Sequence, residues 1–218
     1  MQDDLQNFGA LLSDHGYVTL GAARSKPVLE AMQEIALRLG GRILPGRGRA
    51  IVEKLKALEP TKAPLRSLSR LSGMGAQPWH VDGSHLIVPP RYLIFGCELV
   101  RGVGAPPTQL LRIKDVKSAL QGSHSETFMI RNGGSSFYST IASTERPWLR
   151  FDPGCMVART AQGHAMLAAL ESMPIQPWLN KEWSEGDILI IDNWTVLHRR
   201  AEASGLGHRA LLRISLKD

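Results

Sequence analysis

The chain has 218 residues, 43% of them hydrophobic, and a formal net charge of +6 at neutral pH. A chain of this length and composition can bury one sizeable core, so we predict a globular protein. The positive charge raises the possibility of a nucleic-acid partner, but the densest basic stretch, residues 42–49, lacks the interleaved aromatic side chains of a single-strand binding groove. We therefore predict no nucleic-acid partner. No apolar run is long enough to span a bilayer, so we predict no membrane association either.

The amino terminus and the cysteines indicate the compartment. Met1-Gln2-Asp3-Asp4 begins acidic, without a charged n-region followed by an apolar run, which predicts a cytoplasmic protein. Cys97 and Cys155 are interpreted as core thiols, because disulfides are rare in a reducing compartment. We expect a single domain over residues 1–218, with residues 1–70 forming a helical and loop part that packs on a core of residues 71–218.

Several elements can be predicted in chain order. Apolar residues with a period near 3.6 predict a helix that is capped by Ser25, runs to Leu39 and ends at Gly40-Gly41. An apolar strand follows Pro89-Pro90, and residues 128–141 are typical of a hairpin that turns at Asn132-Gly133-Gly134. A second helix is predicted from Thr160 to Met173, and a further apolar strand from Ile188 to Asn193. Between the hairpin and this second helix, Arg150 is interpreted as a member of a buried ion pair, with a substrate contact as the alternative.

Two histidines and a carboxylate form a candidate metal site. His80 and Asp82 are two residues apart, so on a strand their side chains leave the same face and could bind one metal ion. His198, after the apolar strand at 188–193, could supply a third ligand. Two imidazoles and one carboxylate leave positions open for a co-substrate and O2, as in non-haem Fe(II) oxygenases, whereas a structural zinc site would use four ligands, usually with cysteine.

A basic strand follows the last candidate ligand. Arg209, Leu211 and Arg213 are expected on one face of this strand. An arginine within such a face needs an anionic partner, and a carboxylate ligand would match the geometry of its guanidinium group.

These motifs resemble the taurine dioxygenase and clavaminate synthase-like branch of the Fe(II)/2-oxoglutarate-dependent oxygenases. The resemblance covers residues 70–218 and implies a mainly β protein with flanking helices, folded as a double-stranded β-helix, or jelly roll. His80, Asp82 and His198 match the metal ligands of that family. Arg209 and Thr108 match the residues that hold the far carboxylate of 2-oxoglutarate, and Arg213 matches an arginine that binds the anionic group of the substrate in several members.

The resemblance implies an activity as well. An Fe(II) enzyme of this family uses 2-oxoglutarate and O2 as co-substrates, releases succinate and CO2, and hydroxylates a C–H bond; desaturation and ring formation are other outcomes. The carboxylate of Asp82 occupies the position that halogenating relatives leave to a halide, so halogenation is disfavoured. We expect a small anionic substrate, an amino acid or an intermediate derived from one. The alternative is a non-catalytic metal-binding sensor or a basic nucleic-acid-associated domain.

Overall fold

The computed structural model describes residues 8–22, 26–46, 48–64, 67–120, 122, 124–142, 148–172, 176–203 and 205–218. The predicted helix ends at Ser25 and Met173 lie outside the described residues. No helix in the described ranges is long and apolar enough to cross a bilayer.

The described chain folds into twelve strands and four α-helices. The helices are α1 (Phe8–His15), α2 (Val28–Leu39), α3 (Leu68–Ser72) and α4 (Ala161–Glu171). The strands are β1 (Tyr17–Leu20), β2 (Arg42–Leu44), β3 (Glu53–Lys56), β4 (Tyr92–Arg101), β5 (Thr108–Arg112), β6 (Thr127–Asn132), β7 (Ser135–Thr140), β8 (Met156–Val157), β9 (Leu179–Lys181), β10 (Ile188–Asp192), β11 (Val196–Arg200) and β12 (His208–Lys217). Two short 3-10 segments, Pro60–Lys62 and Ile113–Leu120, complete the connections.

Antiparallel pairing organises these strands into one large sheet and two small ones. The large sheet has the order β1-β10-β4-β12-β2, and β3 also pairs with β12. The small sheets have the orders β11-β5-β9 and β7-β6-β8. From β9 to β12 the chain therefore alternates between a small sheet and the large one, as expected for a jelly roll. The first 70 residues contribute three strands to the large sheet in addition to their helices.

The central strands of the large sheet are buried on both faces. Leu189 and Ile191 of β10 join a core cluster with Leu110 of β5 and Trp183, between the large sheet and the sheet of β5. Ile188 and Ile190 face the opposite way, into a cluster with residues of α1 and α2. Because both faces are covered, β10 is an unbroken apolar run instead of an alternating one.

Helix α2 packs closely on the large sheet because one position of β4 has no side chain. A Cβ atom at Gly96 would lie 2.3 Å from Sδ of Met32 and 2.8 Å from a methyl group of Val28. Any larger residue at this position would push the helix away from the sheet. The apolar stripe of α2 is thus core packing, as predicted, and the helix ends before Gly40 as expected.

The sequence-based elements are partly confirmed and partly wrong. The hairpin of β6 and β7 and the helices α2 and α4 are confirmed, and both cysteines are buried as predicted. His80 and Asp82 do not lie on a regular strand: His80 makes an isolated bridge to His198, and a turn begins at Asp82. His198 lies in the middle of β11 and not at the end of the preceding strand. Local periodicity misses this because it cannot reveal a pairing with a residue more than one hundred positions away.

Candidate metal centre

The three predicted ligands come together at one point. His80, Asp82 and His198 each offer an atom that lies within 4.8 Å of the other two. Backbone hydrogen bonds of 3.1 Å run in both directions between His80 and His198, so the two strand segments hold the imidazoles side by side. The ring centroids are 4.4 Å apart. Long-range pairing thus builds the site that the sequence only suggests.

The protonation of His80 suits a metal ligand. Its Nδ1 lies 2.9 Å from the carbonyl oxygen of Pro78. A carbonyl can only accept, so Nδ1 carries the proton and Nε2 keeps its lone pair. Burial, with His198 as the second cause, lowers the pKa of His80 to about 3. The imidazole is therefore neutral, which is the form that binds a metal ion.

The carboxylate of Asp82 lies between the two imidazoles. Its Oδ1 is 3.6 Å from Nε2 of His80, and its Oδ2 is 3.5 Å from Nε2 of His198. The unprotonated nitrogen of His80 thus faces a carboxylate oxygen, and a cation between them would turn this unfavourable contact into two bonds. Burial by itself would raise the pKa of Asp82, but Arg213 and His198 outweigh it and hold that pKa well below its usual value. The donor set fits Fe(II).

Asn193 fixes the backbone of this carboxylate ligand. Its Oδ1 accepts from the Asp82 N–H at 3.0 Å, while its Nδ2 donates to the Asp82 carbonyl at 3.0 Å and to the Pro90 carbonyl at 2.8 Å. Asn193 is fully buried. Gly83 follows with a φ of +70°, and a Cβ there would lie 2.4 Å from Cδ of Pro90. The turn at Asp82 therefore requires glycine at its next position.

Thr108 and Arg209 lie next to each other, as the resemblance implies. Nη2 of Arg209 donates to the Thr108 hydroxyl at 3.0 Å, and Nε donates to the Pro106 carbonyl. Both side chains are buried. In the described part of the chain Arg209 has no carboxylate within ion-pair distance, and burial lowers its pKa to about 10. A buried, charged guanidinium with unused N–H groups on Nη1 fits an anionic ligand such as the far carboxylate of 2-oxoglutarate.

Arg213 has two acidic partners. Its Nη1 donates to Oδ2 of Asp82, and its Nε and Nη2 donate to Oε2 of Glu53 at 3.2 and 2.6 Å. These carboxylates raise the pKa of Arg213 although burial opposes them. The predicted role of Arg213 in binding the substrate stays a prediction. Its position, in contact with a candidate metal ligand, places it next to the site.

Three residues near the site make contacts that the sequence interpretation missed. Glu53 precedes the metal motif by 27 positions and gives no local signal. Asn193 could have been suspected, because a polar residue directly after a buried strand needs partners for its amide. Trp183, whose Nε1 donates to the Thr108 hydroxyl at 3.0 Å, lies beside the turn at Glu185-Gly186-Asp187, but no periodicity connects it to Thr108.

Arg150 is a different kind of buried arginine. It is fully buried, and its guanidinium donates to the carbonyl oxygens of Ser84, Leu86 and Ile87. Its carbon Cζ lies 5.1 Å from the ring centre of Phe137. In the described part of the chain these bonds go to carbonyl oxygens and not to a carboxylate, so the predicted ion pair is wrong, while the alternative of a substrate contact stays a prediction. Arg150 instead holds the turn that follows the candidate ligand Asp82.

Comparison with known proteins identifies the family of one region. Residues 127–215 match the family described as Taurine catabolism dioxygenase TauD, TfdA family. This region contains His198, Arg209 and Arg213. No curated protein sequence is similar enough to this chain to count as a match.

Solved structures with the same fold match 99% of this chain. An asparagine oxygenase in complex with Fe(II), 2S,3S-3-hydroxyasparagine and succinate has a TM-score of 0.74 and 16% identity, over 99% of this chain and 78% of that chain. A taurine dioxygenase from Burkholderia xenovorans has a TM-score of 0.69 and 15% identity, over 99% and 82%. The oxygenase OrfP in complex with Fe, succinate and (3S)-hydroxy-L-Arg has a TM-score of 0.64 and 16% identity, over 99% and 80%. The chain therefore has the double-stranded β-helix fold that its motifs predict, and the match to the TauD/TfdA family is to residues 127–215.

Proposed function

We propose that this protein is an Fe(II)- and 2-oxoglutarate-dependent dioxygenase that hydroxylates a small amino-acid substrate. The observation that carries the proposal is the pairing of two sites that this chemistry needs. His80, Asp82 and His198 offer three ligand atoms within 4.8 Å of one another. Arg209 and Thr108, buried and hydrogen-bonded to each other, offer donors for a carboxylate.

One group of residues would bind the metal ion, and a second group would bind the co-substrate. His80, His198 and Asp82 would hold Fe(II), and Arg209 and Thr108 would bind the far carboxylate of 2-oxoglutarate and so fix its orientation. Bound iron with 2-oxoglutarate and O2 supplies the oxidising chemistry that hydroxylates a C–H bond and releases succinate and CO2. Because Asp82 provides a carboxylate at its position, we expect hydroxylation, or the related desaturation and cyclisation, and not halogenation.

An amino acid is the substrate class that the charges support best. Arg213 offers a cation and Glu53 an anion, 2.6 Å apart, and Arg213 also contacts the carboxylate of Asp82. A zwitterion could pair its carboxylate with Arg213 and its ammonium group with Glu53, which would leave neither of these partly buried charges unpaired. The asparagine oxygenase and OrfP, which share this fold, are known in complex with hydroxylated amino acids.

The competing functions make different use of the same residues. A non-catalytic metal-binding sensor would need the triad but not the buried Arg209 and Thr108 pair. A nucleic-acid-associated domain would need a basic surface but no triad.

We propose one domain over residues 1–218, and a cytoplasmic location, where Fe(II) and buried thiols stay reduced.

The test combines binding and turnover. Anaerobic protein with Fe(II) should develop a visible charge-transfer band when 2-oxoglutarate is added, and a screen of amino acids should find substrates that release succinate. His198→Ala should abolish succinate release in response to substrate while the circular dichroism spectrum stays that of the folded protein. Normal succinate release from this variant would falsify the assignment of the metal centre.

The role of Arg213 needs a separate variant. Arg213→Lys keeps the charge but loses the planar fork of donors. It should raise the KM for the amino acid by one to two orders of magnitude, on the order of 1.4–2.8 kcal/mol, and leave the 2-oxoglutarate titration of the charge-transfer band nearly unchanged. A shift in the 2-oxoglutarate titration alone would assign Arg213 to the co-substrate instead.

A further inference from the structure

We propose that Trp183 is a positioning residue for the co-substrate, because it fixes the Thr108 hydroxyl as a hydrogen-bond donor toward the bound carboxylate. The inference rests on the proposed function, since it assumes that Thr108 and Arg209 bind the far carboxylate of 2-oxoglutarate. It adds a residue to which neither the sequence nor the resemblance gives a role.

The hydrogen bonds of Thr108 define the direction of its proton. Its Oγ1 lies 3.0 Å from Nε1 of Trp183 and 3.0 Å from Nη2 of Arg209. An indole N–H and a guanidinium N–H can only donate, so the hydroxyl oxygen accepts both bonds with its two lone pairs. The hydroxyl proton is then left with the one remaining tetrahedral direction. In the described part of the chain no acceptor is bonded to this proton.

Because these three side chains are buried, the free hydroxyl proton of Thr108 favours binding of a carboxylate. Thr108, Trp183 and Arg209 are exposed by 4%, 7% and 8%. A buried hydroxyl proton without an acceptor is unfavourable, and a carboxylate bound at Arg209 would satisfy it. Without the indole N–H, the hydroxyl could rotate and place a lone pair where the proton should be, which would repel the carboxylate.

The turn around Trp183 holds the indole in place. Lys181 and Asp187 form an ion pair of 2.6 Å across this turn, and Oδ2 of Asp187 also accepts from the backbone N–H of Ser184 at 3.0 Å. The Lys181 ammonium and the Arg209 guanidinium each lie 5.5 Å from the centre of the indole ring. The ring therefore contacts cations on its faces while its N–H is directed at Thr108.

The experiment compares two ligands that differ only at the far carboxylate. 2-Oxoglutarate and 2-oxovalerate, which carries a methyl group in place of that carboxylate, are titrated by calorimetry into Zn(II)-loaded protein and, anaerobically, into Fe(II)-loaded protein. Trp183→Phe should weaken binding of 2-oxoglutarate by about fivefold to tenfold, the value of one ordinary hydrogen bond. Binding of 2-oxovalerate should stay within about twofold, a change too small to reflect the loss of a hydrogen bond.

Thr108→Val provides the second test. If Trp183 acts through the hydroxyl, Trp183→Phe should change the 2-oxoglutarate Kd little further when it is combined with Thr108→Val. Trp194→Phe is the matched control, because Nε1 of Trp194 donates at 3.0 Å to the Pro89 carbonyl and not to Thr108. It should leave the 2-oxoglutarate Kd unchanged.

The outcomes distinguish a failure of the role of Trp183 from a failure of the proposed function. An unchanged 2-oxoglutarate Kd in Trp183→Phe, an equal loss for both ligands, or a full additional loss in the Thr108→Val background would overturn the role of Trp183. A wild-type protein that binds no 2-oxoglutarate would overturn the proposed function and this inference together. If Trp183→Phe fails to fold, replacement of Trp183 by β-(3-benzothienyl)alanine, which removes the N–H but keeps the bicyclic ring, decides the question with the same titrations.

Discussion

Arg150 and Arg209 are both buried cations without a carboxylate partner in the described part of the chain, yet their surroundings differ. Arg150 donates to three backbone carbonyls of one turn. Arg209 donates to one carbonyl and one hydroxyl, and its Nη1 makes no bond to any residue that the structure describes. Burial lowers the pKa of each to about 10. Burial and a lowered pKa therefore do not identify a ligand site by themselves, and neither does a single unpaired donor, since Nε of Arg150 is also buried without a partner. The two arginines differ in their terminal nitrogens: Arg150 uses both for backbone carbonyls, whereas among the described residues Nη1 of Arg209 has no bond.

The largest difference between the two arginines should appear in stability. Arg150→Met leaves the buried carbonyls of Ser84, Leu86 and Ile87 without donors, so we expect the free energy of unfolding to fall by about 3–4 kcal/mol. Arg209→Met removes a desolvated charge with fewer internal bonds and should change it by about 1 kcal/mol or less. Urea denaturation followed by circular dichroism measures both. Equal losses would mean that Arg209 is a structural residue like Arg150.

Binding of 2-oxoglutarate should depend on Arg209 and not on Arg150, the reverse of their expected effects on stability. Arg209→Lys keeps a positive charge but loses the two-pronged geometry, so the 2-oxoglutarate Kd should rise by one to two orders of magnitude, roughly 1.4–2.8 kcal/mol. The matched variant Arg150→Lys, studied at a temperature where it is folded, should bind 2-oxoglutarate as the wild type does. Anaerobic titration of the charge-transfer band measures the affinity. A weaker complex in Arg150→Lys alone would contradict the assignment.

Asp192 extends the comparison to a buried carboxyl group, whose one hydrogen bond among the described residues comes from a neighbouring backbone N–H. Its Oδ1 accepts from the backbone N–H of Trp194 at 3.0 Å, and Arg91 lies 3.9 Å from its Oδ2. Burial raises the pKa of Asp192 to about 6, against 3.8 as the ordinary value. The native state thus binds the proton more tightly than the unfolded chain, so this stabilising contribution is complete below pH 3.8 and is lost as the pH rises through 6.

The expected effect on Asp192 variants is the smallest of the three. Asp192→Asn should raise the free energy of unfolding at pH 7.5 by about 1–2 kcal/mol, because the cost of ionising a buried carboxyl disappears. The same variant should lose the part of the pH dependence that lies between pH 4 and 6. Denaturation curves across this range, compared with the wild type, provide the measurement. A variant that is less stable than the wild type at pH 7.5 would show that the carboxylate stabilises the fold through Arg91.

The difference between the arginines explains what sequence analysis can and cannot reach. Arg150 and Arg209 both precede apolar residues in strand-like surroundings, and nothing local separates them. The resemblance to an oxygenase family assigns the far carboxylate of 2-oxoglutarate to Arg209, but it assigns no ligand to Arg150. Only the carbonyls of residues 84–87, more than sixty positions away, explain the burial of Arg150, and such a contact leaves no trace in local periodicity.

The sequence by itself determined the chemistry of the candidate centre. The types and order of His80, Asp82 and His198, with Thr108 and Arg209, suffice for the resemblance to the dioxygenases, and the family match over residues 127–215 and the jelly-roll fold agree with it. The helices α2 and α4 and the hairpin of β6 and β7 could also be predicted, because hydrophobic periodicity and turn residues act over short distances.

Only the tertiary structure decided how these groups are held. The backbone bridge between His80 and His198, the amide clamp of Asn193 on Asp82, and the pairing of Glu53 with Arg213 each join residues more than one hundred positions apart. The bond from Trp183 to Thr108 spans 75 positions. Which polar groups meet inside the protein depends on how the sheets pack, and burial then determines which of them are satisfied within the chain and which are left for a ligand.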